Sequence, residues 1–104
     1  MNKVIRDGQV AVIYSPGYGA GWSTWSHTNP DPQMLFDPHL VELVEQGLGD
    51  QVRAYCEQEW PDQYLGGVND LAIAWVPQGE YFRIHEYDGS ERVEIRDQIT
   101  WIQA

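Results

Sequence analysis

One cysteine in 104 residues, Cys56, excludes an intramolecular disulfide and any zinc site built from thiolates. No catalytic-cysteine pattern surrounds it, so a small buried hydrophobe in a reducing cytoplasm is the expectation. Basic residues are scarce: six Lys and Arg against sixteen Asp and Glu leave a net charge of −10. Such a chain is poorly suited to neutralising the phosphates of a DNA duplex. Long apolar runs are also missing. The longest, Val10 to Tyr14, is too short to span a bilayer, and the opening residues 1–8 lack the apolar core of a secretion signal. A soluble, unsecreted protein without a membrane partner is expected.

Catalytic signatures are equally thin. The chain has no His-x-x-x-His, nucleophile elbow or paired metal-ligand spacing. His27 and His39 stand singly, and Ser23 or Thr24 beside His27 lacks a positioned third group. Asp70, just before a buried run, either orients a ligand hydroxyl or caps the start of that strand. The expectation is a protein without enzymatic activity, cofactor or metal.

What is present specifies a fold. Apolar residues make up 42%, with thirteen aromatics (five Trp, six Tyr, two Phe), which excludes disorder and suits a single domain over 1–104. Asp7-Gly8 and Asp88-Gly89 carry the signal of type I′ turns and predict two hairpins. Val10–Tyr14 and Leu71–Val76 read as strands buried on both faces. Asp37-Pro38 is a helix start, followed by a stripe of Leu40, Val41, Leu43 and Val44, with Gly47 as the left-handed cap. Asp50 opens a second helix burying Val52, Tyr55 and Cys56, and Pro61 closes it. A last strand is expected over 99–102. The order predicts an α+β fold: a mostly antiparallel sheet of about five strands with an αα hairpin packed on one face. Thirteen aromatics are many for so small a core, which predicts a homodimer or larger oligomer.

Three regions are candidates for function. In residues 15–25, Gly17, Gly19 and Gly21 alternate with Tyr18 and Ala20, and Trp22 and Trp25 follow. A glycine-rich turn after a buried strand offers backbone N–H groups to an anion, and two tryptophans offer ring platforms. The same residues equally suit a tight crossing plugged by core tryptophans. In the last hairpin, period-two alternation sets Phe82 and Ile84 on one face, and Tyr81, Arg83, His85 and Tyr87 on the other. A two-residue turn then pairs Ile84 with Val93, Phe82 with Ile95, His85 with Arg92, Arg83 with Glu94, and Tyr81 with Arg96. That mixed face either receives an anion and a ring together or simply pairs its charges in solvent. Third, residues 37–62 hold seven acids and one base, Arg53.

The stretch Tyr14-Ser15-Pro16-Gly17-Tyr18-Gly19-Ala20-Gly21-Trp22-Ser23-Thr24-Trp25, with the closing Glu86-Tyr87-Asp88-Gly89-Ser90-Glu91, resembles a family of small uncharacterised phage and prophage proteins. Leu35-Phe36-Asp37-Pro38 and Ala74-Trp75-Val76-Pro77 belong to the same pattern. The resemblance implies an accessory protein acting in the bacterial host cytoplasm, in the manner of counter-defence proteins. Two strategies suit such a chain. One is a sponge that sequesters a small nucleotide-derived signal through Gly17, Tyr18, Gly19, Gly21, Trp22, Trp25, Arg83, His85 and Arg96. The other is an acidic inhibitor or nucleic-acid mimic that occupies a host defence protein through residues 37–62.

Overall fold

The structure, a computed structural model, describes residues 2–17, 21, 22, 24, 32–63 and 65–96. Strands β1 (Ile5–Arg6) and β2 (Gln9–Tyr14) form the first hairpin, and β3 (Ala72–Pro77) pairs antiparallel with β2 along its whole length. Asp7 and Gly8 both have positive φ, 51° and 76°, as the type I′ turn requires. The second hairpin joins β4 (Phe82–Tyr87) to β5 (Ser90–Ile95) through Asp88 and Gly89, again at positive φ. Its register matches the expected one: Phe82 opposite Ile95, Arg83 opposite Glu94, Ile84 opposite Val93 and His85 opposite Arg92. The Arg96 N–H donates to the Tyr81 carbonyl at 2.9 Å, extending the ribbon by one row.

The single sheet of about five strands is corrected to two antiparallel sheets, β1-β2-β3 and β4-β5. The reason lies in β2, whose alternate residues serve two cores. Ala11 and Ile13 face one way with Trp75 and Ile73 of β3, against the helices. Val10 and Val12 face the other way with Val76, against Phe36, Phe82, Ile84, Val93 and Ile95. The apolar face of the last hairpin therefore lies across the sheet rather than extending it. The result is three layers: helices, a three-stranded sheet and a two-stranded ribbon. The strand expected over 99–102 lies outside the described residues.

Helix α1 (Pro38–Glu45) begins as its sequence dictates, with the Asp37 carboxylate accepting from the Leu40 N–H at 2.9 Å and Pro38 at the first position. Gly47, at φ 69°, turns the chain into α2 (Gly49–Glu59). The Tyr55 hydroxyl donates to the same Asp37 carboxylate at 2.9 Å, so one side chain caps α1 and ties α2 to it. Cys56 is wholly buried, and its thiol is pushed up to about 12, by burial first and then by the charges of Asp37 and Glu57. The thiolate is the reactive form. Native protein at pH 8 should therefore resist iodoacetamide for hours and react fully in denaturant. Prompt stoichiometric labelling of the folded chain would contradict this burial.

Candidate functional site

The glycine–tryptophan loop has an anion at its donors, and the anion is the protein's own. The Glu91 side chain, 1% exposed, accepts from the backbone N–H groups of Ser15, Trp22 and Thr24, each at 3.0 Å, and from the Thr24 hydroxyl. All four donors are neutral. The Glu91 N–H in turn donates to the Ser15 carbonyl at 2.7 Å, and the Ser90 hydroxyl to the Pro16 carbonyl at 2.8 Å. The backbone N–H groups of Ser15, Trp22 and Thr24 thus converge on negative charge. Those donors are spent internally on Glu91.

Trp22 is likewise corrected as a ring platform. It is fully buried, edge-on to Trp60 with centroids 6.1 Å apart, and its indole N–H donates to the Met34 carbonyl at 3.2 Å. Trp60 continues edge-on to Tyr55, so a row of rings fills the space between loop and helices. Gly21, at φ 111°, makes the turn into Trp22. Gly17 lies against Asp70, whose carboxylate oxygen would be 2.9 Å from any Cβ added there. Tyr18, Gly19, Ser23, Trp25 and His27 lie outside the described residues.

Arg83, His85 and Arg96, by contrast, are brought together on the outer face of the ribbon. That face reads in four rows: Tyr81 with Arg96, Arg83 with Glu94, His85 with Arg92, and Tyr87 with Ser90. Tyr81 and Tyr87 are each 72% exposed. Two arginines and a histidine surround one acid: Glu94 lies 3.3 Å from Arg83, 3.5 Å from Arg92 and 3.9 Å from His85. Burial alone would raise the Glu94 carboxyl. The hydrogen bond and charge of Arg83, with the charges of Arg92 and His85, outweigh it and hold the group below its ordinary range. Arg96 lies over the Tyr81 ring at 5.7 Å. His85, Tyr87, Ser90 and Arg92 line a shallow depression of about 260 Å³. Arg92 and Tyr87 belong to this face as fully as the residues singled out from sequence. The cross-strand register already placed Arg92 beside His85.

The acids of residues 37–62 lie on the opposite layer. Glu42, Glu45, Asp50, Glu57, Glu59 and Asp62 are all exposed on or beside the helices. Glu45 is engaged by the Arg6 guanidinium through two contacts, at 2.6 and 2.8 Å, and Glu57 lies 3.9 Å from Arg53. Layer spacings of about 10 Å put the acidic surface roughly 20 Å from the outer ribbon face. The Debye length at physiological salt is only about 8 Å, so the ribbon's local charge is largely independent of the net −10.

Among the described residues no group of three or more His, Cys, Asp or Glu stands ready to hold a metal ion, and no helix is long and apolar enough to cross a membrane. The chain matches no family model, no curated protein and no solved structure.

Proposed function

We propose that this is a binding protein whose ribbon face takes an anionic, ring-bearing ligand of nucleotide type and withholds it from other proteins. The observation that carries the reading is the outer face of β4 and β5. There Arg83, Arg92 and His85 gather around the carboxylate of Glu94, and Arg96 lies over the Tyr81 ring, between two exposed tyrosines. Guanidinium groups take phosphate by charge-assisted, bidentate hydrogen bonds, and a tyrosine face takes a base. The resemblance of the loop and turn motifs to phage proteins supports a counter-defence role, in which the ligand is a nucleotide-derived immune signal. The described aromatics support the placement: Trp22, Phe36 and Trp60 fill the cores, and Tyr81 and Tyr87 are the large aromatics left exposed for a ligand or a second copy.

A thermal-shift and calorimetric panel of nucleotides tests the reading. Arg83→Gln and Arg92→Gln should each weaken binding about tenfold, the scale of one charge-assisted contact. Glu94→Gln should tighten it about threefold, because it removes the one carboxylate competing for the cations. Glu42→Gln, on the far layer, should change nothing. A panel without any response, or one indifferent to the ribbon arginines, would defeat the proposal. The second reading, an acidic inhibitor of a host protein, draws on the exposed helical acids. It predicts that Glu42, Glu45, Glu57 and Glu59 changed together to Gln abolish inhibition while the ribbon variants retain it.

A further inference from the structure

The ribbon is long relative to one nucleotide, and its aromatic groups stand at its two ends. Tyr81, just before β4, and Tyr87, its last residue, are six positions apart on the same side of the extended chain, so their rings lie about 20 Å apart. Between them sit Arg83 and His85 on β4 and Arg92 on β5, with Arg96 beside Tyr81. A mononucleotide reaches one ring and its neighbouring cation. A cyclic dinucleotide, with its two bases held close together by a small ring, does not reach both tyrosines either.

Resting on the ribbon reading above, we infer that the face is a track for a short single-stranded oligonucleotide of about four nucleotides, at the short end of known aromatic-and-cation tracks. A base stacks on each tyrosine, and the intervening phosphates lie along Arg83, Arg92 and Arg96. The track offers contacts to phosphate charge and to base faces, which every nucleotide sequence shares, so binding is tolerant of sequence. Duplex is a poor occupant, because its bases are already stacked on one another and cannot lie on the tyrosines. Glu94 keeps its carboxylate tucked between the arginines, with 16% of its side chain exposed, and orders them without covering the surface.

The test is a length series of thymidylate: the mononucleotide and oligomers of two, four and eight units, titrated calorimetrically against the full chain. Affinity should rise at least thirtyfold from two units to four, then change from four to eight only by the few-fold of added registers. Tyr81→Ala and Tyr87→Ala should each weaken the four-unit oligomer about tenfold, the scale of one lost stack. Neither should alter the melting temperature, since both rings stand in solvent. The salt dependence for the four-unit oligomer should have a log–log slope of about −2, as three cations on a single strand would give. If the mononucleotide binds as tightly as the four-unit oligomer, and Tyr81→Ala has no effect, the track is wrong while the smaller ribbon site stands. If neither mononucleotides nor oligomers bind, the ribbon reading falls with it.

Discussion

Replacing Glu91 with Ala should cost about 3–5 kcal/mol of stability, because the two buried donors of Ser15 and Trp22 lose a charged acceptor at roughly 1–3 kcal/mol each, while water can serve the part-buried Thr24 donors. Domains of this size have only about 5–15 kcal/mol in total, so the variant should be largely unfolded at 37 °C or close to it. Glu91→Gln should lose roughly half as much. It keeps one carbonyl oxygen for the loop but turns an NH2 group toward N–H donors that need an acceptor. The check is chemical denaturation with circular dichroism, using Glu94→Gln as a control for a carboxylate on the exposed face. A Glu91→Ala protein melting within about 5 °C of the parent would mean that the carboxylate is dispensable.

Gly67→Ala should be the next most damaging change, at about 3 kcal/mol. Its backbone, at φ −88° and ψ 5°, is open to any residue, so conformational freedom is not why glycine stands there. Space is the reason. A Cβ at this position would overlap the Gly21 carbonyl oxygen and come within 2.8 Å of Ser15 Cβ. Both neighbours belong to the loop segment clamped by Glu91, and backbone has nowhere to yield. Gly17→Ala is the informative comparison, since its Cβ would meet the Asp70 carboxylate at 2.9 Å. Asp70 is exposed and can swing aside, so the cost should stay under about 1 kcal/mol. Equal losses from the two substitutions, read from urea midpoints at constant m-value, would contradict this difference in neighbours.

The features legible in the sequence are those decided within a few residues. Asp7-Gly8 and Asp88-Gly89 fix their turns because positive φ at both centres leaves few other solutions, and Asp37-Pro38 fixes the start of α1 by capping. The ribbon register follows from the two-residue Asp88-Gly89 turn, and a one-residue slip would throw Val93 and Ile95 to the face opposite Phe82 and Ile84. Where the ribbon goes did not follow. An apolar hairpin face is satisfied equally by extending a sheet or by lying across one, and the choice depends on which face of β2 remains uncovered. The choice between a ligand loop and a plugged crossing is open in the sequence for a related reason. The anion that the loop's donors hold lies more than sixty residues further along the chain. One signal was present: the register places Glu91 on the same face as Val93 and Ile95. A carboxylate pointed inward among valine and isoleucine must find donors, and the unclaimed N–H groups of a glycine-rich loop were available.

That Glu91 clamp also sets a timetable for the nascent chain. Its contacts join residues 76, 69 and 67 positions apart, so the loop and the tryptophan beneath it cannot settle until nearly the whole ribbon has been synthesised. At about 5–20 residues per second, the wait from Trp22 to Glu91 is roughly 3–14 s. Val10–Tyr14, the central strand of the finished molecule, can meet the helices and β3 during that wait, but its Val10 and Val12 face receives its ribbon cover last. Contacts of such long range also slow the search itself, since loop closure must precede any stabilisation. On the ribosome this fold is therefore completed late, once the ribbon has emerged to close the loop.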